Sequence, residues 1–181
     1  MATSKVVSFQ RSGPRFEAIL VPTDGSALSI AAALKAVEFA KRMQVRVVAF
    51  HSVPAYRYPV YLDGIPYEYP SEADYESQCR SIAQRYLDLI VQAAQAQGVA
   101  VTTRIEFNGS AAHSIVQAAN DEHCKLIFMG SHGRSGLSKV FLGSVTLKTL
   151  TLAQTPVLVD RPMPEEIAHA EEVMRQCAIE P

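Results

Sequence analysis

The segment from Leu126 to Thr146, LIFMGSHGRSGLSKVFLGSVT, combines three kinds of local sequence that together decide the fold. It begins with an apolar run that predicts a fully buried strand ending at Met129. Glycines follow at positions 130, 133, 136 and 143, with small hydroxyl residues between them. From Ser144 onward the residues are typical of a helix. The segment therefore predicts a strand, a glycine-rich loop and a helix in succession, which is a unit of α/β proteins.

A glycine-rich loop that leads into a helix favours contact between backbone amides and an anion. The first turn of a helix has N–H groups without intrahelical partners, and its dipole attracts phosphate. Gly143 lets a ligand approach the backbone because it has no Cβ, and the hydroxyls of Ser144 and Thr146 add donors. Gly130 and Gly133 are expected to shape the turn out of the strand and to let a sugar or phosphate pack there. Neither the P-loop pattern G-x-x-x-x-G-K-[ST] nor the dinucleotide pattern G-x-G-x-x-G is present.

Strands and helices alternate strictly through the rest of the chain. Apolar segments predict strands at 17–22, 45–50, 99–107, 125–129 and 156–160. Helical periodicity predicts four helices, at 26–43, 71–97, 110–123 and 144–154. Continuous apolar strands that alternate with helices predict one parallel sheet with helices on both faces and right-handed crossovers.

The second of these helices has the clearest periodicity. Its predicted apolar face repeats at intervals of four and three residues, as Tyr75, Cys79, Ile82, Tyr86, Leu89 and Ala93. Ser71 is its expected N-cap, Gly98 is its expected stop, and Ser110 is the expected cap of the third helix. Residues 162–181 allow a short further helix, with Met163, Ile167 and Ala170 on its apolar side.

Composition and charge exclude several classes of protein. The chain has 181 residues, of which 48% are hydrophobic and 19% are charged, and its formal net charge is −1. These values are ordinary for a single globular domain and argue against a general nucleic-acid binder. No apolar run is long enough to span a membrane. We expect no secretory signal, because the residues before the first strand lack a long apolar segment followed by a small-residue cleavage pattern. Three cysteines without C-x-x-C spacing suit a reducing, cytoplasmic environment.

The glycine spacing G-x2-G-x9-G-S, formed by Gly130, Gly133, Gly143 and Ser144, resembles the motif of the universal stress protein family in its ATP-binding branch. The segments ILVPTDGS, VVAFHSV and TPVLVD are similar to other parts of the same family. The resemblance covers residues 16–161 and implies a domain at 15–161, between an N-terminal tail, 1–14, and a C-terminal tail, 162–181. It also implies a Rossmann-like, doubly wound open sheet of five parallel strands in the order 3-2-1-4-5, similar to the adenine nucleotide α-hydrolase folds.

The strand order places a candidate site at one edge of the sheet. In open α/β sheets, ligands bind at the carboxyl ends of the strands, where the strand order reverses. The polar segments Pro22–Asp24 and Met129–Ser131 follow the first and fourth strands, so they meet at this position if those strands are neighbours. The resemblance implies that ATP binds here with a divalent cation, Mg²⁺ or Mn²⁺, held mainly by phosphate oxygens and water. The implied contacts are Pro22, Thr23, Asp24, Ser52, Met129, Gly130, His132, Gly133, Gly143, Ser144, Val145 and Thr146.

Within that set the resemblance gives each residue a part. Pro22, Thr23 and Asp24 line the adenosine side, Asp24 facing the nucleotide or its metal, and Met129 and Gly130 border adenine and ribose. Ser52 replaces an aliphatic residue that is frequent in the family, and the change matters little if its backbone makes the contact. His132 and Gly133 lie beside the ribose and phosphates, and residues 143–146 hold the phosphates.

Each of these assignments has a structural alternative. Asp24 and Ser144 are also suitable helix caps. Arg134 and Lys139 either screen phosphate charge or are simply solvated. The proline- and tyrosine-rich loop, 51–70, either forms a binding surface or covers the sheet edge with its tyrosines, at 56, 58, 61, 67 and 69. His51 is expected to be structural, and His113, His123 and His169 are expected to be solvated.

Three functions remain open from the sequence. The first is a regulatory ATP-binding protein of the stress response, which the resemblance implies to be a homodimer joined through the last strand, Pro156–Asp160. The second is a slow ATPase, although no general base or arginine finger is evident and hydrolysis should be weak at most. The third is an interaction module without nucleotide, which the intact glycine spacing disfavours. We expect neither a membrane nor nucleic acid as a partner.

Overall fold

Short apolar segments form the five strands of one parallel sheet, seen in a computed structural model that describes residues 17–57, 70–133 and 142–177. The strand order is β3-β2-β1-β4-β5, and every neighbouring pair is parallel. This confirms the predicted doubly wound sheet. The strands are β1 (Ala18–Pro22), β2 (Arg46–Pro54), β3 (Val101–Asn108), β4 (Leu126–Gly130) and β5 (Val157–Asp160).

Five helices in the described part of the chain follow the strands. Ser26 and Ser71 cap α1 and α2, since the Oγ of each accepts a hydrogen bond from a backbone N–H in the first turn. Helix α2 stops just before Gly98, as the sequence predicted, and Gly98 has the left-handed backbone conformation, at φ +69°, that often follows a helix. The helices are α1 (Ala27–Met43), α2 (Glu72–Ala96), α3 (Ala111–Asp121), α4 (Ser144–Leu152) and α5 (Pro164–Gln176).

The sheet separates two apolar cores, which confirms that helices cover both faces. On one face, residues of α1 and α2 such as Val37, Leu87 and Ile90 pack against Ile19 and Val47. On the other face, Ile115 of α3 packs with alternate strand residues, including Phe50, Ile127 and Met129.

Strand β2 is longer than the sequence predicted. It continues through His51 and Ser52 to Pro54, so the predicted loop 51–70 begins four residues too early. The cause is pairing with β3, which continues to the register Pro54↔Asn108. Strand β1 ends at the register Pro22↔Phe50, so β2 extends beyond its neighbour on that side. Residues 58–69, and with them Tyr58, Tyr61, Tyr67 and Tyr69, lie outside the described residues, as does the tail 1–14.

The two ends of this loop are joined by tyrosine hydroxyls. Tyr56 donates to the carbonyl of Pro70, and Tyr75 donates to the carbonyl of Pro54, both at 2.9 Å. The rings of Tyr56 and Tyr75 lie 5.4 Å apart between centroids. Tyr56 therefore belongs to a contact that closes the base of the loop.

The predicted apolar face of α2 is partly wrong. Tyr86 and Leu89 are buried as expected, but Ile82 is 39% exposed. The buried stripe instead follows Ala83, Leu87, Ile90 and Ala94, about one residue further along the helix. Leu87, Ile90 and Ala94 in the C-terminal half of α2 pack into the core on the sheet, whereas Tyr75 near the start of the helix contacts Pro54 at the end of β2.

Helix α5 is an integral part of the fold. Ala170 and Met174 are fully buried, in a cluster with Ile30 of α1 and Tyr86 of α2. The predicted apolar side was right for Ala170, but Met163 is 55% exposed because it is the N-cap residue that precedes the helix. The segment predicted as a C-terminal tail with a short helix thus covers the outer side of α1.

Candidate functional site

A cleft of about 200 Å³ opens at the carboxyl ends of β1 and β4, where the strand order reverses. Strands β1 and β4 are neighbours, so the two polar segments that follow them meet as expected. All twelve residues predicted from the sequence line the cleft. Sequence reasoning missed four other lining residues, which are Ser29, Phe50, Ala111 and Ile115. For Ala111 and Ile115 the available indication was that α3, like α4, starts at this edge of a parallel sheet.

The N-terminus of α4 forms one end of the cleft. The first turn places the amides of Ser144, Val145 and Thr146 there, and Gly143, the N-cap residue, has no side chain to accept from them. Ser144 is therefore the first helical residue and not the cap, so the capping alternative for Ser144 is wrong. Its side chain is exposed and remains a suitable donor.

Two expected donors at this helix end are already used within the protein. The hydroxyl of Thr146 donates to the carbonyl of Gly130 at 3.0 Å, and the residue is 3% exposed. The N–H of Gly143 donates to the carbonyl of Ser131 at 2.8 Å. Both bonds fix the start of α4 to the end of β4. The expectation that the Thr146 hydroxyl supplies a phosphate donor is thus wrong, because its proton is committed.

At three glycines of this site, a neighbouring residue occupies the space that a side chain would need. A Cβ on Gly143 would lie 3.2 Å from Cα of His132, so the missing side chain lets α4 approach the β4 loop. A Cβ on Gly133 would overlap the carboxylate of Asp24. At Gly130 the nearest atom to an added Cβ would be Cδ2 of Leu28, at 3.0 Å. Gly130 therefore makes room for α1, and it also lines the cleft.

Hydroxyl groups order the loop between β1 and α1. Thr23 Oγ1 lies 2.7 Å from Ser29 Oγ and accepts from the N–H of Gly25 at 3.1 Å. Asp24 Oδ1 accepts from both the N–H and the Oγ of Ser26, at 3.1 and 2.7 Å. Asp24 thus holds the N-cap residue in place but is not the cap itself. The loop presents a fixed carboxylate to the cleft.

The opposite end of the cleft is apolar. Phe50, Ile115 and Met129 line it, and each of them is at most 6% exposed. Thr23 N–H donates to the Phe50 carbonyl at 2.9 Å, so the backbone groups of Phe50 face β1. Because alternate residues of a strand direct their backbone groups to the same side, the N–H and C=O of Ser52 face the space beyond the end of β1. This is the orientation that a backbone contact with a planar base requires.

The histidines differ in their surroundings. His132 lies in the cleft, where its Nδ1 is 3.1 Å from Ser131 Oγ and its buried Nε2 has no hydrogen-bond partner among the described residues. His51 Nδ1 is 2.8 Å from the carbonyl of Thr23, which supports its expected structural role. His113, His123 and His169 are exposed, although His113 Nδ1 lies 2.8 Å from Ser110 Oγ. Ser110 occupies the expected N-cap position of α3 but makes no cap hydrogen bond.

Few charged groups face the cleft in the described part of the chain. Its charged or titratable lining residues there are Asp24 and His132. Arg134 and Lys139 lie outside the described residues. Residues 17–57, 70–133 and 142–177 contain no cluster of three or more His, Cys, Asp or Glu that could hold a metal ion. The same residues include no helix with the length and hydropathy needed to cross a bilayer.

Comparison with known sequences identifies relatives over most of the chain. The sequence model of the universal stress protein family matches residues 15–161. The chain is 33% identical over 144 residues to universal stress protein MJ0531 of Methanocaldococcus jannaschii, covering 80% of this chain and 81% of that protein. It is 34% identical over 148 residues to universal stress protein YxiE of Bacillus subtilis, covering 81% and 99%.

Solved structures share the fold at lower identity. Protein MJ0577, a universal stress protein of M. jannaschii, superposes with a TM-score of 0.65 at 23% identity, covering 83% of this chain and 99% of that chain. A universal stress protein in complex with cAMP has a TM-score of 0.54 at 20% identity, covering 82% and 98%. One from Archaeoglobus fulgidus in complex with dAMP has a TM-score of 0.53 at 18% identity, covering 81% and 98%.

Proposed function

Because this chain belongs to the universal stress protein family, we propose that it is an ATP-binding regulatory protein of the stress response that acts as a homodimer. The observation that carries the proposal is the composition of the cleft. One end offers first-turn amides of α4 without a capping side chain, and the other end is apolar. A nucleotide has the matching polarity, with phosphates at one end and a planar base at the other.

The phosphates would bind at the N-terminus of α4. The amides of Ser144, Val145 and Thr146 point toward an incoming anion, and the helix dipole adds a partial positive charge. The hydroxyl of Ser144 can donate to a phosphate oxygen. The buried Nε2 of His132 gains a hydrogen-bond partner if a ribose hydroxyl or phosphate oxygen enters the cleft.

The base would occupy the apolar end, between Ile115 and the end of β2. Adenine presents a hydrogen-bond acceptor at N1 beside a donor at N6, and the N–H and C=O of Ser52 form a complementary pair. Two nucleotide-bound members of the family contain adenine nucleotides, cAMP and dAMP, which supports an adenine ligand here. The triphosphate, ATP, is the form that makes most use of the α4 amides.

The donor set fits a cation that is held chiefly by the nucleotide. Mg²⁺ and Mn²⁺ prefer oxygen ligands, and the described cleft supplies one carboxylate, Asp24, beside Gly133. We propose that Asp24 contacts the cation or its bound water while phosphate oxygens complete its coordination. Little hydrolysis is expected, because no described lining residue is placed as a general base for a γ-phosphate.

Homodimerisation would cover the surface formed by strand β5 and the exposed leucines of α4. Strand β5 is an edge strand whose residues are all half-buried. On the adjacent helix α4 the threonines Thr146 and Thr149 are buried, whereas Leu147 and Leu150 are 55% and 39% exposed. This inverted distribution is expected when a partner packs against the leucines. A second copy joined along Pro156–Asp160 would pair the edge and cover these side chains. Three unpaired thiols suit the reducing cytoplasm, where we place the protein.

The proposed function is tested on the purified full chain. We expect that denaturation releases a nucleotide that chromatography identifies as an adenine nucleotide, and that calorimetry with ATP and Mg²⁺ gives saturable binding. Light scattering is expected to give twice the mass of 19.8 kDa. A chain that binds no adenine nucleotide contradicts the nucleotide assignment. A turnover of about 1–100 s⁻¹, the range of kinases, would instead identify an enzyme.

A further inference from the structure

Helix α5 lies outside residues 15–161, which match the family, yet it is tied to both loops of the cleft. Three charged side chains form the first tie. Lys35 Nζ of α1 lies 2.8 Å from Glu166 Oε2 of α5 and 3.1 Å from Asp160 Oδ1 at the end of β5. Glu166 Oε2 also accepts from the N–H of Met163 at 2.6 Å, so the same carboxylate starts the helix and holds the lysine.

Hydrogen bonds continue this tie to the phosphate end of the cleft. The carbonyl of Asp160 accepts from the N–H of Ser131 at 2.7 Å. The carbonyl of Ser131 accepts from the N–H of Gly143, the N-cap of α4, at 2.8 Å. Direct contacts therefore run from α5 through Lys35 to the helix end that presents the free amides.

An apolar contact forms a second, independent tie. Ala170 and Met174 of α5 pack in one cluster with Tyr86 of α2. The ring of Tyr86 fills the space where a side chain of Gly25 would otherwise be, because a Cβ there would overlap the ring. Gly25 belongs to the same loop as Asp24, whose carboxylate stands against Gly133 across the cleft. Helix α5 thus supports both walls at the mouth of the site.

We propose that α5 is a positioning element of the nucleotide site and that Lys35 is the residue that transmits its docking to the N-terminus of α4. This inference rests on the proposed nucleotide binding. Lys35 is not among the residues that line the cleft, and we propose that it acts through Asp160 and Ser131. Since coupling between two sites is reciprocal, bound nucleotide also stabilises the docked position of α5. Nucleotide occupancy would then control how firmly the C-terminal helix is held.

Calorimetric titration with ATP and Mg²⁺ on the full chain tests the role of Lys35. Lys35→Met and Glu166→Gln are expected to weaken ATP binding about fivefold, the lower end of typical coupling between sites. Glu166→Gln keeps an oxygen to accept from Met163 and removes only the charge. Lys35→Arg should bind like the unchanged chain because it keeps the cation. Lys41→Met is the matched control, since Lys41 is an exposed lysine in the last turn of the same helix.

Amide hydrogen exchange on the unchanged chain provides a measurement that does not depend on any variant. Added ATP is expected to slow exchange in α5. The inference is overturned if exchange in α5 is the same with and without ATP. It is also overturned if Lys35→Met binds as tightly as Lys41→Met, or if Lys35→Arg binds as weakly as Lys35→Met. If the unchanged chain binds no nucleotide in the same titration, the proposed function itself fails and this inference falls with it.

Discussion

Ser144 is the residue where the phosphate assignment can be separated from the stability of the fold. Its side chain is exposed at the first position of α4, so a substitution there disturbs no core contact. An acidic residue in the first turn of a helix stabilises that helix through the dipole, by about 0.3–1 kcal/mol. The same charge repels a phosphate. One substitution can therefore favour the helix and oppose the ligand.

We expect Ser144→Asp to weaken ATP binding by about a hundredfold or more, because two like charges about 4 Å apart near a protein surface repel by about 4 kcal/mol. Its thermal midpoint without ATP should be unchanged or slightly higher. Ser144→Asn, which has the same size and no charge, is the control and should bind ATP nearly as well as the parent. If calorimetry gave equal ATP affinities for the Asp and Asn variants, the phosphates would not bind at the N-terminus of α4.

Cys124 gives a pH-dependent prediction. Burial raises the pKa of its thiol from 9.0 to about 11. The raised pKa means that the fold favours the neutral thiol, so its contribution to stability is complete below pH 9.0 and is lost as the pH rises toward about 11. Urea unfolding across this interval should show a fall in the free energy of unfolding that is shallower in Cys124→Ala. Equal slopes in the two proteins would contradict the assignment.

Sequence reasoning found the residues of the cleft better than it found their contacts. The motif places Asp24, His132 and Ser144 directly after strands or at the start of a helix. Ligands bind at the carboxyl ends of parallel strands where the strand order reverses, so these positions could be assigned to the cleft from their order along the chain. The hydroxyl of Thr146 and the small size of Gly130 depend on distant partners, the Gly130 carbonyl and Leu28. Such pairings arise only after packing and leave no local pattern in the sequence.

At the end of helix α2, Gly98 is required for its backbone conformation and not for lack of space. Gly98 has φ +69°, and an added Cβ would meet nothing within 4 Å. A substitution there changes backbone strain without steric overlap. Gly109 also has open space around an added Cβ, but its φ lies outside the left-handed region. The two glycines therefore form a matched pair.

Gly98→Ala is expected to lower the free energy of unfolding by about 1–2 kcal/mol, the cost of a left-handed conformation for a residue with a Cβ. Gly109→Ala should be nearly neutral or slightly stabilising, because alanine reduces the freedom of the unfolded chain. Urea unfolding of both variants measures the difference. A loss of similar size at Gly109 would show that the strain at Gly98 is not the cause.

The elements whose ends depend on neighbours were the ones that sequence patterns placed poorly. The predicted cap Ser71 and the predicted stop Gly98 involve residues only a few positions away, so their sequence pattern is local. Three of the last four residues of β2, His51, Ser52 and Pro54, are polar or proline, so this end does not resemble a continuous apolar strand. They are strand because β3 runs beside them, which the local pattern of β2 does not indicate. The buried face of α2 likewise depends on the strands and helices that pack against it.

For the whole molecule, α5 decides whether the chain unfolds as one unit. Met174 is 0% exposed and joins α5 to α1 and α2. We expect Met174→Ala to lower the free energy of unfolding by about 2–5 kcal/mol, the usual cost of removing a buried large side chain. Unfolding should remain a single transition by circular dichroism and fluorescence. Gln176→Ala, at an exposed position of the same helix, is the control.

A Met174→Ala chain as stable as its control would mean that α5 is a peripheral addition to the fold. A second transition at low denaturant would mean that α5 opens independently of the sheet. The sequence could not decide between these outcomes. The apolar side of residues 163–170 indicated a helix, but the groove between α1 and α2 that receives it exists only in the assembled fold.

The unequal lengths of β1 and β2 have a consequence for how quickly the protein can respond. Strand register forms this end of the cleft, since β2 continues past the last residue of β1, so the end proposed for the base is formed by the sheet itself. A nucleotide that binds there spends little free energy on loss of conformational entropy in that part of the protein. Association need not wait for refolding of the chain, so occupancy at that end can follow changes in nucleotide concentration with little delay.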